Sequence, residues 1–262
     1  MTKLVVDRIT VVLDSEVVLE GVEFEVSEPG LVQVLGPNGA GKTTLFNTIL
    51  GLLKPVKGHI FIDGLNVTGN PRLAGKHVGY VQQFAGLDLE LPITALELVA
   101  SAYLLQQQKP PRLFRRKTAL KRALEVLKKV GLDEHVSNKP LTQLSGGQKQ
   151  RVFIARALVL DPPILIMDEP FSAVDPHGRV ELAKIIGELA KEKLVIISSH
   201  DPTLLLEYTS KVLLLNRRVV AFGEPTEVLR EDILRKVYGG AVFVYATHVH
   251  ISDSCPPRPS RF

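Results

Sequence analysis

Apolar residues follow two different rhythms along this chain. In the first third they come as short runs and two-residue alternations, such as Leu4-Val-Val6, Val22-Glu-Phe24-Glu-Val26 and Leu31-Val-Gln-Val-Leu35. These patterns predict strands at residues 3–12, 22–27, 31–35 and 59–62. Asp14 to Gly21 join the first two, Pro29-Gly30 precede the third, and Asp63-Gly64 form a hairpin-like turn after the fourth. Another short strand, 77–81, ends at Gln82-Gln83. From Phe84 to about Leu144 the rhythm becomes helical, with two segments at 93–107 and 114–130 split by Pro110-Pro111. Beyond Leu144 the two rhythms alternate. A helix carrying Val152, Ala155 and Leu158 on one face is stopped by Pro162-Pro163, and an apolar strand at 164–167 follows. Next come a helix at 176–191, an apolar strand at 194–198, a hairpin-like pair at 212–215 and 219–222, and two short helices at 225–230 and 231–237. A strand-like stretch at 241–251 leads to a Pro-rich end, Cys255 to Phe262, whose composition predicts disorder.

Strands alternating with helices indicate an α/β fold with a mostly parallel sheet covered on both faces. The strands at the start and the helical stretch at about 84–144 do not fit that alternation, so an antiparallel β subdomain and an inserted α-helical subdomain are expected around the α/β core. The organisation expected is one domain over residues 1–240, followed by a terminal strand and tail over 241–262.

A length of 262 residues allows a large buried core. The lone cysteine, Cys255, excludes an internal disulfide and favours a reducing compartment. Charges at Lys3, Asp7 and Arg8 come too early for a secretory leader, and no apolar run is long enough to cross a bilayer. Membrane work would therefore need another chain. The formal net charge is +4, yet Lys109, Arg112, Arg115, Arg116, Lys117, Lys121, Arg122, Lys128 and Lys129 crowd a segment whose only acid is Glu125. Such a cluster could face anionic headgroups or be a solvated helix face. Nucleic acid is not expected as a partner, because Phe114 is the only aromatic there and no stacking series exists.

The most informative stretch is Gly36-Pro37-Asn38-Gly39-Ala40-Gly41-Lys42-Thr43-Thr44, a glycine-rich turn between an apolar strand and a helix. Three glycines let the backbone close around an anion, so that amides and the positive end of the following helix point at β- and γ-phosphates. Lys42 adds a full charge, and Thr43 offers a hydroxyl to Mg²⁺. Chance would produce this spacing in roughly one chain of this length in a hundred.

In a parallel sheet the ligand lies beyond the carboxyl ends of the strands. Polar residues stand there repeatedly: Asp168 and Glu169 after Ile164-Leu-Ile-Met167, Gln83 after Val78-Gly-Tyr-Val81, and His200 after the strand at 194–198. Aspartate at such a position can hold Mg²⁺, and a neighbouring glutamate can orient and deprotonate a water. The amide of Gln83 could bridge Mg²⁺ and water, and His200 could donate to a γ-phosphate. Leu144-Ser145-Gly146-Gly147-Gln148 opens a further helix, whose N-terminus is another anion site.

With that last motif the chain resembles the nucleotide-binding subunit of an ATP-binding-cassette (ABC) transporter. The turn at 36–44 matches Walker A, 164–169 Walker B, Gln83 the Q-loop, 144–148 the signature, Ser172-Ala-Val-Asp175 the D-loop and His200 the switch histidine, in the family's order. The resemblance implies ATP and Mg²⁺ as ligands, with Lys42 and Thr44 on phosphates and Thr43, Gln83 and Asp168 around the metal. It also implies Glu169 as general base and His200 at the γ-phosphate. In that family Ser145, Gly146 and Gly147, with Gln148 and Asp175 nearby, meet the nucleotide of a second copy, so a head-to-tail dimer is implied. Leu13 stands where the family usually has an aromatic against adenine, and can give only apolar contact.

Phe84-Ala-Gly-Leu-Asp-Leu-Glu-Leu-Pro-Ile-Thr94 and Val237-Tyr-Gly-Gly240 are similar to the importers of zinc, manganese or iron. That resemblance implies integral membrane permease subunits, an extracytoplasmic substrate-binding protein and a peripheral place on the cytoplasmic face of the membrane. Siderophore or cobalamin importers, exporters and soluble non-transport ABC ATPases are the alternatives. His248 and His250, at strand spacing, with Asp253 and Cys255 beyond, are candidates for a regulatory metal site.

Overall fold

The computed structural model describes residues 2–27, 29–83, 92–106, 116–199, 201–239, 242–245 and 248–251. The chain opens with β1 (Leu4–Leu13) and β2 (Glu16–Val26), an antiparallel hairpin. Asp14 and Ser15 both adopt positive φ (47° and 67°), which makes a two-residue turn whose twist matches the strands. The joining loop expected over residues 14–21 is therefore mostly strand. A turn that uses Asp-Ser in place of Asn-Gly hides this, as does the run Val17-Val18, which breaks the alternation.

β3 (Gly30–Leu35) leaves that hairpin and enters a different sheet, and α1 (Lys42–Ile49) follows the glycine-rich turn. β4 (Lys57–Ile62) and β5 (Leu65–Asn66) return to the first sheet, whose order is β2-β1-β4-β5. The first strands thus form the antiparallel subdomain expected from the sequence, in a sheet separate from the one that holds β3. A single turn of helix, α2 (Pro71–Ala74), precedes β6 (Val78–Val81).

The helical layer comprises α3 (Ala95–Gln106), α4 (Arg116–Lys129) and α5 (Glu134–Ser137). Its two ends are drawn together by the Thr94–Pro140 bridge and by Leu141 N–H donating to Ile93 O at 3.1 Å. α6 (Gly146–Leu158), β7 (Ile164–Asp168), α7 (Pro176–Ala190) and β8 (Leu194–Ser198) complete the alternation. β9 (Thr209–Asn216) and β10 (Arg218–Gly223) turn at Arg217, and α8 (Pro225–Val228) and α9 (Glu231–Tyr238) follow. The terminal stretch expected as one strand is two, β11 (Val242–Tyr245) and β12 (His248–Ile251), paired antiparallel with each other. The Pro-rich end lies outside the described residues.

The main sheet runs β10-β9-β3-β8-β7-β6, parallel throughout except for the β9–β10 edge. Alternate residues of its strands feed different cores, because side chains point to opposite faces. Leu31, Leu165, Met167, Val195 and Ile197 pack with Val99, Ala123 and Leu127 of the helical layer and with Val152 of α6 and Leu182 of α7. Val32, Val34, Ile164, Ile166 and Ile196 pack with Phe46 of α1 and with Leu4, Val6 and Ile60 of the antiparallel sheet. Burial on both faces explains why these strands read as continuous apolar runs. Polar residues gather where the strands end; the exception within β3 is the buried Gln33, whose amide donates to Pro202 O and Thr209 Oγ1.

Candidate functional site

The strand order places the carboxyl ends of β3, β8, β7 and β6 side by side, and the polar residues at those ends meet there. The bend at 36–44 leaves β3 and enters α1 through Gly41, whose φ of 96° needs a residue without Cβ. A Cβ on Gly36 would lie 2.2 Å from Leu215 O, so the bend sits directly against β9. Arg217 N–H donates to Ala40 O at 3.0 Å and Arg217 O accepts from Glu20 N–H at 2.8 Å, fastening the bend to β2 as well.

Lys42 is buried, with Nζ donating to Gly36 O at 2.7 Å and to Pro37 O at 3.2 Å. Asn38, Gly39, Ala40, Gly41, Lys42, Thr43 and Thr44 line a cleft of about 430 Å³ that also has Val18, Gln83 and Glu169 on its walls. Amides, an ammonium and the first turn of a helix converge on it, a suitable receptacle for a polyanion.

Opposite the lysine lies a carboxylate centre. Asp168 is only 2% exposed, and its two oxygens are held by two hydroxyls. Thr43 Oγ1 donates to Oδ2 at 2.7 Å, and Ser198 Oγ donates to Oδ1 at 2.6 Å. The next residue, Glu169, has φ of 46°, a left-handed conformation that costs a residue with a Cβ about 1–2 kcal/mol. Its N–H donates to Ser198 Oγ at 2.9 Å, and its Oε2 accepts from Gln83 Nε2 at 2.9 Å. The charge of Asp168 reaches Tyr80 on β6, whose hydroxyl is pushed up to about 12, first by burial and second by that carboxylate. A hydroxyl, a carboxylate and an amide in one place form an all-oxygen donor set that suits Mg²⁺.

The structure thus brings together the 36–44 bend, Gln83, Asp168 and Glu169. His200 lies outside the described residues; its neighbours are tied to each other, with Ser199 Oγ donating to Asp201 O at 2.8 Å. Leu13 closes β1 opposite Glu16 and is 36% exposed, on the same hairpin as Val18. Ser198 was not among the expected site residues. Its signal is position alone: it stands at the end of a central strand, in register with Asp168.

Ser145 to Gln148 do not line the cleft of their own chain. Ser145 caps α6 in a reciprocal box: its Oγ accepts from Gln148 N–H at 3.2 Å, and Gln148 Oε1 accepts from Ser145 N–H at 3.1 Å. Gly146 packs against the 172–175 turn, where a Cβ would lie 2.2 Å from Ala173 O. Asp175 caps α7 by accepting from Gly178 N–H at 3.0 Å, and that bond holds its carboxyl below the usual range. The side chains of Gln148 and Asp175 are thus engaged within their own turns, while the exposed Ser145 and Gly146 face outward.

Residues 19–172 match the family model described as ABC transporter. The manganese transport system ATP-binding protein MntB of Bacillus subtilis (strain 168) is 36% identical over 240 residues, spanning 89% of this chain and 91% of that protein. The zinc import ATP-binding protein ZnuC of Pseudomonas aeruginosa (strain UCBPP-PA14) is 34% identical over 250 residues, 94% of this chain and 83% of that protein. A solved dimeric ATP-binding cassette, in a post-hydrolysis state bound to ADP and Pi, superposes with a TM-score of 0.72 at 29% identity, covering 84% of this chain and 98% of that one.

Proposed function

This chain belongs to the ABC transporter family, and from that membership we propose that its ATP hydrolysis drives import of a metal ion, zinc, manganese or iron, through a separate permease. It is an ATPase with the P-loop cassette fold. The observation that carries the metal assignment is likeness at 36% and 34% identity, over most of both chains, to manganese and zinc systems.

The cleft offers ATP a ready receptacle. The β- and γ-phosphates take the amides of 36–44, the Lys42 ammonium and Thr44, while the base lies toward Leu13 and Val18 of the β1–β2 hairpin. Thr43, Asp168 and Gln83 would hold Mg²⁺, which when bound neutralises charge on the phosphates. Glu169 accepts the proton of the attacking water, and Gln83, already bonded to it, fixes its direction. His200 donates to the γ-phosphate. The Ser145, Gly146 and Gly147 amides at the start of α6, of which Ser145 and Gly146 are exposed, close on the nucleotide of a second copy, which explains why they stand away from their own cleft.

Among the described residues no helix is long and apolar enough to cross a membrane, so transport requires integral permease chains. A groove of about 500 Å³ between the helical layer and the sheet, bordered by Tyr80, Leu98, Ala102 and the exposed Leu105, offers such a chain a concave apolar surface. The subunit then sits on the cytoplasmic face, and a substrate-binding protein delivers the ion on the other side.

Glu169→Gln tests the reading. Hydrolysis should fall by about two orders of magnitude or more, and ATP should trap a dimer visible by light scattering. A variant that hydrolyses normally or stays monomeric with ATP refutes it. Co-reconstitution with the permease, measuring ATP-driven uptake of Zn²⁺, Mn²⁺ and Fe²⁺, tests the cargo.

A further inference from the structure

The geometry points to Ser198 as a positioning residue that sets both carboxylates of the hydrolytic centre at once. This inference rests on the reading of Glu169 as general base. Ser198 is fully buried at the carboxyl end of β8, and the β7–β8 ladder places it in register with Asp168. Its hydroxyl is used in both directions. The proton goes to Asp168 Oδ1 at 2.6 Å, and the lone pairs accept the Glu169 N–H at 2.9 Å.

Each arm has a separate consequence. The first, with Thr43 on the opposite oxygen at 2.7 Å, fixes the rotation of the Asp168 carboxylate about its own axis. Without the serine, that carboxylate would be anchored only from the phosphate-loop side, and it would follow any movement of α1. The second arm holds the backbone of Glu169 in its left-handed conformation, φ 46°. A neighbouring residue in ordinary strand geometry would send the Glu169 side chain to the opposite face, because successive side chains of a strand alternate. The same hydroxyl therefore orients the metal-side carboxylate and turns the basic one toward the cleft that both Gln83 and Glu169 border. An apolar residue would complete the strand equally well, so packing does not explain a hydroxyl here.

The test uses the whole chain and compares Ser198→Ala with Ser198→Thr, which restores the hydroxyl. Ser198→Ala should lower kcat for ATP hydrolysis about tenfold, the scale of a small misplacement of a catalytic group, and change KM by less than about twofold. Amide exchange at Glu169 should speed up by about tenfold as its acceptor is lost. Ser198→Thr should recover most of the kcat. A Ser198→Ala protein with kcat within about twofold of the parent, a loss confined to KM or to thermal stability, or a loss that threonine does not repair overturns the inference. Glu169→Gln run alongside separates the two levels. If it leaves hydrolysis intact the general-base reading fails; if it abolishes hydrolysis while Ser198→Ala is silent, only the serine's role fails.

Discussion

The two signature glycines look equivalent in the sequence but occupy very different surroundings, and replacing each by alanine should separate them. At Gly146 a Cβ would lie 2.2 Å from the Ala173 carbonyl oxygen, whereas Cβ contacts under 3.0 Å are essentially never found. The turn or α6 must retreat by roughly 0.8 Å or more, and overpacking against backbone of this kind costs about 1–3 kcal/mol. At Gly147 the nearest atom to a Cβ is Val174 Cγ1, an ordinary contact at 3.5 Å. Both positions are helical, where alanine is favoured over glycine by up to about 1 kcal/mol. Because the contact is with backbone, the upper end of that overpacking range applies, and less the propensity gain it leaves a net cost of about 2 kcal/mol; at about 2–4 °C per kcal/mol for a chain of this size, Gly146→Ala should lower the melting temperature by roughly 4–8 °C. Gly147→Ala should leave it unchanged or raise it by up to about 3 °C. Differential scanning calorimetry reads both values, and ATPase assays well below the transition read the function. Gly147→Ala should lose hydrolysis with its fold intact, since its new methyl sits on the amide-bearing end of α6. Equal destabilisation by the two variants, or none by Gly146→Ala, would refute the packing argument.

Two further outcomes are expected. Leu13→Tyr should tighten ATP binding by about 1 kcal/mol, roughly fivefold, as an aromatic ring stacks on the base; an unchanged constant in a nucleotide titration removes Leu13 from the site. The folded-state pKa of Asp175 is depressed by the Gly178 N–H, so its contribution to stability is present above the unfolded value of about 3.9 and is lost as pH falls through the lower folded value. Asp175→Asn keeps a good helix cap but removes that titration, so its melting temperature should fall less than the parent's over this acid range; parallel curves would contradict it.

Much of the cassette is legible from the chain because its chemistry depends on local patterns. The 36–44 bend combines glycines, a lysine and two threonines between a strand and a helix, and Asp168 and Glu169 end an apolar run. The stretch Leu144 to Gln148 likewise announces the start of a helix. What stayed hidden depends on partners far away in sequence. Ser198 becomes part of the site only through a parallel ladder that brings it beside Asp168, 30 residues earlier. The difference between Gly146 and Gly147 comes from the 172–175 turn. The Asp14-Ser15 turn was missed for a local reason: its residues adopt positive φ without glycine.

The Arg217 peptide gives to Ala40 and takes from Glu20, so the glycine bend hangs from a strut joining the hairpins of two different sheets. Its curvature is thereby set when the protein folds, not when a ligand arrives. A motor subunit must empty and refill this receptacle on every stroke, and a receptacle that keeps its shape while vacant loses no affinity to repeated reordering. Motion can then be concentrated where two copies approach and part.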